Sequence, residues 1–482
     1  MIPVRAAAAR NTRIVVKSNP AGIPTGFLQA GGSPPGYFFP AEKGMEKQEK
    51  YASLSKTPHS WEVFTMRLLH TSDWHLGRTL EGRSRQAEQE DFLDELGRLA
   101  DEEKVDAVLV AGDVFDSVNP PAAAEQLFYD ALDELAAGGR RAVVVIAGNH
   151  DSPERLVAAS PLARRHGIAL FGSPGEDSLV QARPGAGGPI LDGGPSWLEI
   201  GIPGCDHTAI LLALPYLSET RLKELLHSSL EDEARMQKAY SAKIRTIFDQ
   251  LATRFRPESA NLVLSHIFVQ GGSSSDSERP LFSVGGACTV RAEDLPTAQY
   301  IALGHLHRAQ RIKDVAGVCR YAGSPLAYSF SEAGQAKSVV LVEVLPGRPA
   351  LTREIHLACG SPLVRWRALD GLPDVYRWLA EGRDPRAWID LEIHLREPLS
   401  LQEVHDLRRE CDRFIDIRPV YPELAGELAR PSRSGLSIEN MFELFFEKKM
   451  GVRPDPETLA LFMAVLSEKE EGEGTGHEAD QP

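Results

Sequence analysis

The sequence lacks several features that would place it in a familiar class. No apolar run among its 482 residues approaches the roughly 20 that a membrane helix requires, so we expect no membrane span. It has only five cysteines, odd in number and without metal-ligand spacing, which predicts reduced thiols in a cytosolic protein. No G-x-x-x-x-G-K-[ST] motif occurs, so any ATP dependence must come from another protein. The net charge of −15 disfavours a general nucleic-acid-binding surface but permits a local basic groove or bound cations.

The two ends of the chain differ from the rest in composition. Residues 1–65 are rich in Ala, Gly, Pro and Arg, have no acidic residue before Glu42, and hold no apolar period for long. An organelle transit peptide is one interpretation. We favour a disordered extension or a start codon assigned too far upstream, because Met66 stands immediately before the first strand and the sequence after it is bacterial in character. Residues 468–482 form an acidic, Gly-rich tail that is predicted to be disordered.

From Met66 onward, apolar strands alternate with helices, and the length leaves room for two to four domains. Continuous apolar runs at 105–113 and 141–151 are typical of strands covered on both faces. The segments predicted to be helical between strands include 90–103, 121–137 and 218–255. This alternation indicates an α/β fold with a largely parallel sheet, whose functional crevice lies beyond the carboxyl ends of the strands.

Polar residues stand where these strands end. The first, RLLHTSDWHLG (67–77), ends on Asp73 and His75. Residues two apart in an extended segment point the same way, so these two side chains are expected to converge. The other strand endings with this character carry Asp113, Asn149, His266, and the pair His305 and His307. We therefore expect all these side chains to meet at one sheet edge, helped by the glycines before Asp113, Asn149 and His305, which allow close backbone approach.

Seven mixed oxygen and nitrogen ligands exceed what one ion needs, and they suit two ions that share a bridging carboxylate. The absence of cysteine thiolates disfavours a structural zinc and favours Mn²⁺, Fe or a catalytic Zn²⁺. Any one of these endings alone could be a turn or an ordinary packed histidine. Five in one chain make a metal site the better interpretation. His70, inside the first strand, is expected to be a packed neighbour of that site.

The motifs SDWHLG, GDVFD, GNHD, LSH and GHLH, in this order, resemble the five signature motifs of the calcineurin-like metallophosphoesterases. Longer segments are similar to one branch of this family, the nuclease subunit of the bacterial SbcC–SbcD complex. These segments are HTSDWHLGRTL, GDVFDSVNPP, GNHDSPERL and AGSPLAYSF. The resemblance extends from Met66 to about Leu466. It implies a metallophosphoesterase sandwich of two β-sheets flanked by helices, plus a small α/β capping domain and C-terminal helices.

The resemblance also implies a role for each site residue. The implied ligands are Asp73, His75 and His307 for one ion, Asn149, His266 and His305 for the other, and Asp113 as the bridge. His150 would hold no metal. It would face the substrate phosphate, where it stabilises the transition state or protonates the leaving oxygen, and Asp151 would orient it.

The C-terminal third is expected to form separate units. Segments 336–347 and 350–358 read as a hairpin that closes the nuclease domain. A strand, a helix and a strand follow, in the position of the capping domain that the resemblance places over the active site. The predicted domain boundaries are 1–65 for the extension, 66–358 for the nuclease, 361–422 for the cap, 436–467 for a helical partner-binding segment and 468–482 for the tail.

The last predicted helices, 437–451 and 456–469, follow a linker rich in Pro, Ser and Gly and carry apolar stripes. Two short helices cannot bury such stripes alone. They either fold back on the chain's own core or bind a partner, and the resemblance names the coiled-coil base of an SbcC-type ABC ATPase.

These observations predict a cytoplasmic DNA phosphodiesterase that uses two divalent ions, most readily Mn²⁺, and acts as exonuclease and endonuclease. It would work with the ATPase as a homodimer within a heterotetramer. The alternative is a metallophosphoesterase that acts on a small phosphodiester such as a cyclic nucleotide, against which the cap and the C-terminal helices argue. A non-catalytic scaffold is a third possibility, and the complete ligand set argues against it.

Overall fold

The structure is a computed structural model, and it describes residues 65–175, 188–203, 205–218, 233–278 and 289–421, with short stretches between 440 and 463. The predicted N-terminal extension, the acidic tail and most of the two C-terminal helices lie outside the described residues. Within the described ranges, no helix has the length and apolar character that crossing a membrane would need.

The secondary structure alternates between strands and helices, as predicted. In chain order, the strands are β1 Met66–Thr71, β2 Thr79–Leu80, β3 Arg83–Ser84, β4 Ala107–Val110, β5 Ala142–Ile146, β6 Ile168–Phe171, β7 Ile190–Gly194, β8 Trp197–Gly201, β9 Thr208–Leu214, β10 Ala260–His266, β11 Phe268–Val269, β12 Thr289–Val290, β13 Tyr300–Gly304, β14 Gln310–Ile312, β15 Val318–Tyr321, β16 Ser338–Val344, β17 Leu351–His356, β18 Leu363–Ala368, β19 Trp388–His394 and β20 Phe414–Val420. The helices are α1 Gln86–Glu102, α2 Ala122–Ala136, α3 Pro153–Val157, α4 Ser160–Ala163, α5 Glu233–Ala252, α6 Leu372–Ala380 and α7 Leu401–Glu410.

The strands that end in polar residues belong to two sheets, and the expectation of a single sheet edge was wrong. One sheet has the order β17-β16-β1-β4-β5-β6, and the other β14-β15-β13-β10-β9-β8-β7. Within each sheet the strands that lead to the site run parallel, β1 with β4 and β5, and β10 with β13. The pattern of apolar residues predicts a buried strand but not the strand with which it pairs, so the sequence could not show that the strands belong to two sheets.

The two sheets pack face to face and are covered by helices on their outer faces, as the predicted sandwich requires. Leu68 and Leu109 of the first sheet share one core with Leu262 of the second. A second core lies under α1 and α2, and a third lies under α5. Helix α1 is amphipathic because its buried residues recur at helical spacing, at Phe92, Leu93, Leu96 and Ala100.

The chain closes the first sheet with an antiparallel hairpin, β16 and β17, in which β16 pairs with β1. The predicted hairpin is therefore present. Beyond it, a three-stranded parallel sheet, β18-β19-β20, packs against α6 and α7 around its own apolar core. We call residues 361–421 the small unit. The sequence predicted β19, α7 and β20, whereas β18 and α6 were missed.

Candidate metal centre

The backbone after β1 is not extended, so the reason given for convergence of Asp73 and His75 was wrong. Strand β1 ends at Thr71, and Asp73 and His75 adopt positive φ angles of 54° and 46°. Their N–H groups donate to the carbonyl oxygens of Gly112 and Asp113, each at 3.0 Å. The loops after β1 and β4 are thus bonded to each other, and this pairing brings the side chains together.

Positive φ recurs at the carboxyl ends of other strands of the site. Asp113 has φ 50° and His305 has φ 106°. Non-glycine residues in this region are strained by roughly 1–3 kcal/mol each, and such strain clusters where function requires it. The glycines of the motifs allow the backbone to approach neighbouring atoms closely. A Cβ on Gly148 would lie 2.1 Å from Asp113 Oδ1, and one on Gly304 would lie 1.8 Å from the carbonyl oxygen of Ala111.

The side chains form two groups of potential ligands. In the first, the donor atoms of Asp73, His75 and His307 all lie within 4.8 Å of one another, and the Nε2 atoms of the two imidazoles are 3.1 Å apart. The Asp73 carboxylate also accepts a hydrogen bond from the N–H of His305 at 2.9 Å, which ties the first sheet to the second. All three side chains are buried.

The second group joins Asn149 to two histidines of the second sheet. Asn149 Oδ1 lies 2.9 Å from His266 Nε2 and 3.1 Å from His305 Nδ1. Asp113 stands between the groups, because its Oδ2 is 3.7 Å from His75 Nε2 and 3.5 Å from His266 Nε2. One carboxylate oxygen is therefore within reach of both groups.

The outer nitrogens of two imidazoles define where their lone pairs point. His266 Nδ1 lies 2.8 Å from the Ala111 carbonyl oxygen, which can only accept, so the neutral ring carries its proton at Nδ1 and a lone pair at Nε2. His307 Nδ1 lies 2.7 Å from Ser277 Oγ, whose own proton goes to the Glu332 carboxylate. The neutral His307 ring therefore also presents a lone pair at Nε2.

Lone pairs, carboxylates and an amide oxygen thus converge in a buried space, and acceptors at such separations repel one another. Burial lowers the pKa of His75 and His266 and lowers that of His305 to about 3, so the rings do not relieve this repulsion by taking up protons. Burial and the charge of Asp113 raise the pKa of Asp73 well above its usual range. Divalent cations would resolve both conflicts, and the mixed nitrogen and oxygen donors fit such ions.

His150 lies beside this set and is held by a different partner from the one expected. The backbone N–H of His150 donates to Asp113 Oδ1 at 2.9 Å, and its ring Nδ1 lies 2.8 Å from the carbonyl oxygen of Asp116. Because a carbonyl oxygen only accepts, Nδ1 carries a proton and Nε2 remains for exchange with a substrate. Asp116 is the last residue of the GDVFD motif, and its position in the sequence did not predict this contact.

Asp151 was expected to orient His150, but its carboxylate holds the backbone instead. It accepts hydrogen bonds from the N–H groups of Gly148 at 2.8 Å, Phe115 at 2.9 Å and Val114 at 3.2 Å. These bonds connect the loop after β5 to the loop after β4. Asp151 therefore fixes the distance between two ligand-bearing loops.

The structure adds residues that no strand-end pattern could reveal. Ser277 lies in a polar stretch and connects His307 to the buried Glu332, and Lys337 donates to Glu332 and, at 3.0 Å, to the His307 carbonyl oxygen. Burial alone would raise the pKa of Glu332, but its contacts with His307 and Lys337 outweigh burial and lower the pKa to about 2. Glu332 is thus ionised and orients the ring through the serine, as carboxylates behind metal-binding histidines do.

The predicted packed neighbour, His70, is fully buried between the sheets, with Nδ1 2.8 Å from the Tyr300 hydroxyl. Arg78 is a second cation beside the first group, on the side of Asp116. Its Nη1 lies 3.5 Å from Asp116 Oδ1, its guanidinium lies over the Tyr328 ring at 4.9 Å, and its Nη2 donates to the Ser277 carbonyl oxygen at 3.2 Å.

Comparison with known proteins agrees with this geometry. A family model described as calcineurin-like phosphoesterase matches residues 66–309. The chain is 50% identical over 408 residues to the SbcD subunit of the nuclease SbcCD from Bacillus subtilis, a match that covers 84% of this chain and 99% of that protein. It is 31% identical over 390 residues to the SbcD subunit from Escherichia coli K12, covering 78% and 92%. It is 35% identical over 320 residues to the one from Rhodobacter capsulatus, covering 64% and 73%.

The family model spans half of the chain, and the Bacillus subtilis protein is matched over almost its whole length. The chain therefore belongs to the calcineurin-like phosphoesterases and, within them, to the family of the SbcD subunits of the nuclease SbcCD.

Proposed function

We propose that this chain is a metal-dependent nuclease that hydrolyses phosphodiester bonds of DNA during repair, as an exonuclease on double strands and an endonuclease on single strands and hairpins. One observation carries the chemistry. A buried set of acceptors, divided into two groups by Asp113, lies at the meeting point of strand ends from two sheets. The relatives are named as nuclease subunits, which supports a nucleic acid as the substrate.

We assign Asp73, His75 and His307 to one ion, Asn149, His266 and His305 to the other, and Asp113 to both. The distances within each group and the inward lone pairs support this assignment. We propose Mn²⁺ for both ions, because the donors mix imidazole nitrogen with carboxylate and amide oxygen and include no thiolate. When bound, two such cations would make water available as a nucleophile near neutral pH and offset the charge of the phosphate.

The chain's own residues then position the reacting groups. His150 keeps one proton at Nδ1 through the Asp116 carbonyl, so Nε2 is the atom that can hydrogen-bond the phosphate or deliver a proton to the leaving oxygen. Arg78 adds a fixed positive charge beside the first group, pinned by Asp116 and Tyr328. That charge is suited to a non-bridging phosphate oxygen of a bound strand.

We further propose that residues 66–358 form the nuclease domain, that the small unit is the capping domain, and that residues 436–467 bind an SbcC-type ABC ATPase. The names of the relatives, which denote one subunit of a two-component nuclease, support that partner. In the described part of the C-terminal segment, Phe442 and Phe462 stack with ring centroids 3.8 Å apart, so two helical stretches already contact each other. We expect a cytoplasmic homodimer within a heterotetramer.

The decisive experiment gives the purified full chain three substrates in turn: linear duplex DNA, hairpin DNA and bis-p-nitrophenyl phosphate. Each is tested with Mn²⁺, Mg²⁺ or Zn²⁺, and with and without the ATPase. We expect Mn²⁺-dependent cleavage of both DNAs, and we expect the ATPase to increase it when ATP is present. Asp192→Ala, an exposed carboxylate on β7, serves as the control for removal of a charge away from the site.

Turnover confined to the small diester would favour the alternative enzyme for small phosphodiesters. Absence of turnover on all three substrates with every metal, by a chain that still binds two ions, would favour a non-catalytic scaffold. Either result would refute the proposed nuclease.

A further inference from the structure

The first turn of α1 holds backbone next to the metal centre. Gln89 Nε2 donates to the carbonyl oxygen of His75 at 3.0 Å, and its Oε1 accepts from the N–H of Gly77 at 3.1 Å. Arg85, which immediately precedes the helix, donates from Nη1 to the carbonyl oxygen of Ala327 at 2.9 Å. This turn therefore fixes the loop that carries His75 and the segment that leads to Tyr328.

Tyr328 forms a wall of the first ligand group. Its ring packs edge-on against His75 and His307, with centroids 5.3 Å and 5.8 Å away. Its hydroxyl donates to the carbonyl oxygen of Trp74. A shift of the neighbouring Ala327 carbonyl would therefore move a surface against which both imidazoles rest.

Glu88, in the first turn of α1, joins this region to the small unit. Its Oε1 accepts from the indole Nε1 of Trp388 at 2.9 Å, and its Oε2 accepts from the N–H of Ser361 at 2.5 Å. Both oxygens also accept from Arg85, at 2.5 Å and 2.9 Å. The Arg85 side chain is completely buried and that of Glu88 is only 12% exposed, so water competes little for this ion pair.

Polar contacts carry much of the attachment of the small unit. Its apolar core contains only residues of the unit itself among those the structure describes. The connecting segment is held by Glu95, whose carboxylate accepts from the N–H groups of Ala358 at 2.9 Å and Cys359 at 2.7 Å. A cavity of about 320 Å³ lies between α1, this segment and Trp388. Little packing therefore replaces the Trp388–Glu88 bond if it is lost.

We propose that Glu88 is a positioning residue for DNA cleavage. It bonds to Trp388 of the small unit and to Arg85 beside the metal centre, and it thereby fixes the orientation of the small unit relative to the loops that carry the metal ligands. The inference rests on the proposed nuclease function. Strand β18 lies beside the turn Phe330–Glu332, which carries the carboxylate behind His307. On this proposal the small unit contacts DNA beyond the cleaved bond, whereas a small diester does not extend that far.

Trp388→Phe in the full chain tests this link, because it keeps an aromatic ring and the Arg85–Glu88 pair and removes one N–H donor. With Mn²⁺, we expect kcat/KM for linear duplex DNA to fall about tenfold, the size of one buried hydrogen bond. Cleavage of bis-p-nitrophenyl phosphate and metal content should stay at the wild-type level. Amide hydrogen exchange in β18, β19 and β20 should become faster. Trp366→Phe is the matched control, since it removes an indole bond to Asp384 within the same unit.

The outcomes separate the two proposals. Wild-type chain that cuts no DNA would refute the nuclease itself. If the wild type cuts DNA and Trp388→Phe cuts it equally well, Glu88 does not act through Trp388 and the inference is overturned. An equal loss on DNA and on the small diester would also overturn it, because the bond would then support the metal centre itself and not the placement of DNA.

Discussion

Removal of the Ser277 hydroxyl should weaken one metal site selectively. Ser277 Oγ accepts from His307 Nδ1 at 2.7 Å and donates to Glu332, and this chain of bonds keeps the lone pair of His307 on Nε2. In Ser277→Ala the His307 Nδ1 proton loses its acceptor, and the ring can rotate or change tautomer.

The magnitude follows from burial. His307 is 1% exposed and Glu332 is completely buried, so water cannot replace the lost bonds. A buried donor without a partner costs about 1–3 kcal/mol, and a tenfold change in affinity corresponds to about 1.4 kcal/mol. We therefore expect the ion at Asp73, His75 and His307 to bind about 10- to 100-fold more weakly, the range found for residues that orient metal-binding histidines.

Calorimetric titration of the metal-free full chain with Mn²⁺ measures this, because weaker binding of one ion separates its binding step from that of the other. Ser241→Ala is the matched control. Ser241 is a buried serine that donates to the carboxylate of Asp294 at 2.5 Å but touches no proposed ligand. The control should lose stability and keep both affinities. If Ser277→Ala binds both ions as the wild type does, or loses both equally, then Ser277 does not orient His307.

Other predictions use the same site and the ends of the chain. Asp113→Ala should bind neither ion normally and lose activity, because its Oδ2 lies between the two groups; elemental analysis that finds two ions per chain would contradict this. His150→Asn should keep its metal while cleavage falls by about 10²–10⁴, as for loss of a general acid, and loss of an ion would show that His150 is a ligand. Deletion of residues 436–482 should abolish co-purification with the ATPase and spare metal content and cleavage of the small diester, and retained binding would place the partner surface elsewhere. A chain that begins at Met66 should melt at the same temperature as the full chain, and a clear decrease would show that residues 1–65 stabilise the fold.

The local pattern of apolar residues was sufficient to predict the strands that lead to the site and the residue types that follow them. Helix α1 could be predicted because its apolar residues recur at helical spacing, and β4 and β5 because they are short continuous apolar runs. The polar residues after such strands identified every member of the two groups. Strand β18 and helix α6 were missed, although the residues of β18 alternate between apolar and polar from Val364 to Ala368.

The sequence by itself therefore determined the strands that lead to the site and the Asp, Asn and His residues that follow them. Only the tertiary structure decided how these ends meet. The contacts that join them connect residues far apart in the chain, as in the hydrogen bond from His305 to Asp73 across 232 positions and the approach of Asp113 Oδ2 to within 3.5 Å of His266 Nε2. The local pattern of apolar residues defines the faces and limits of a helix or strand, but it contains no information on which distant element packs against it. For the same reason the roles of Ser277, Glu88 and Asp116 depend on the fold. Each of them bonds to a partner that could not be predicted from the sequence around it.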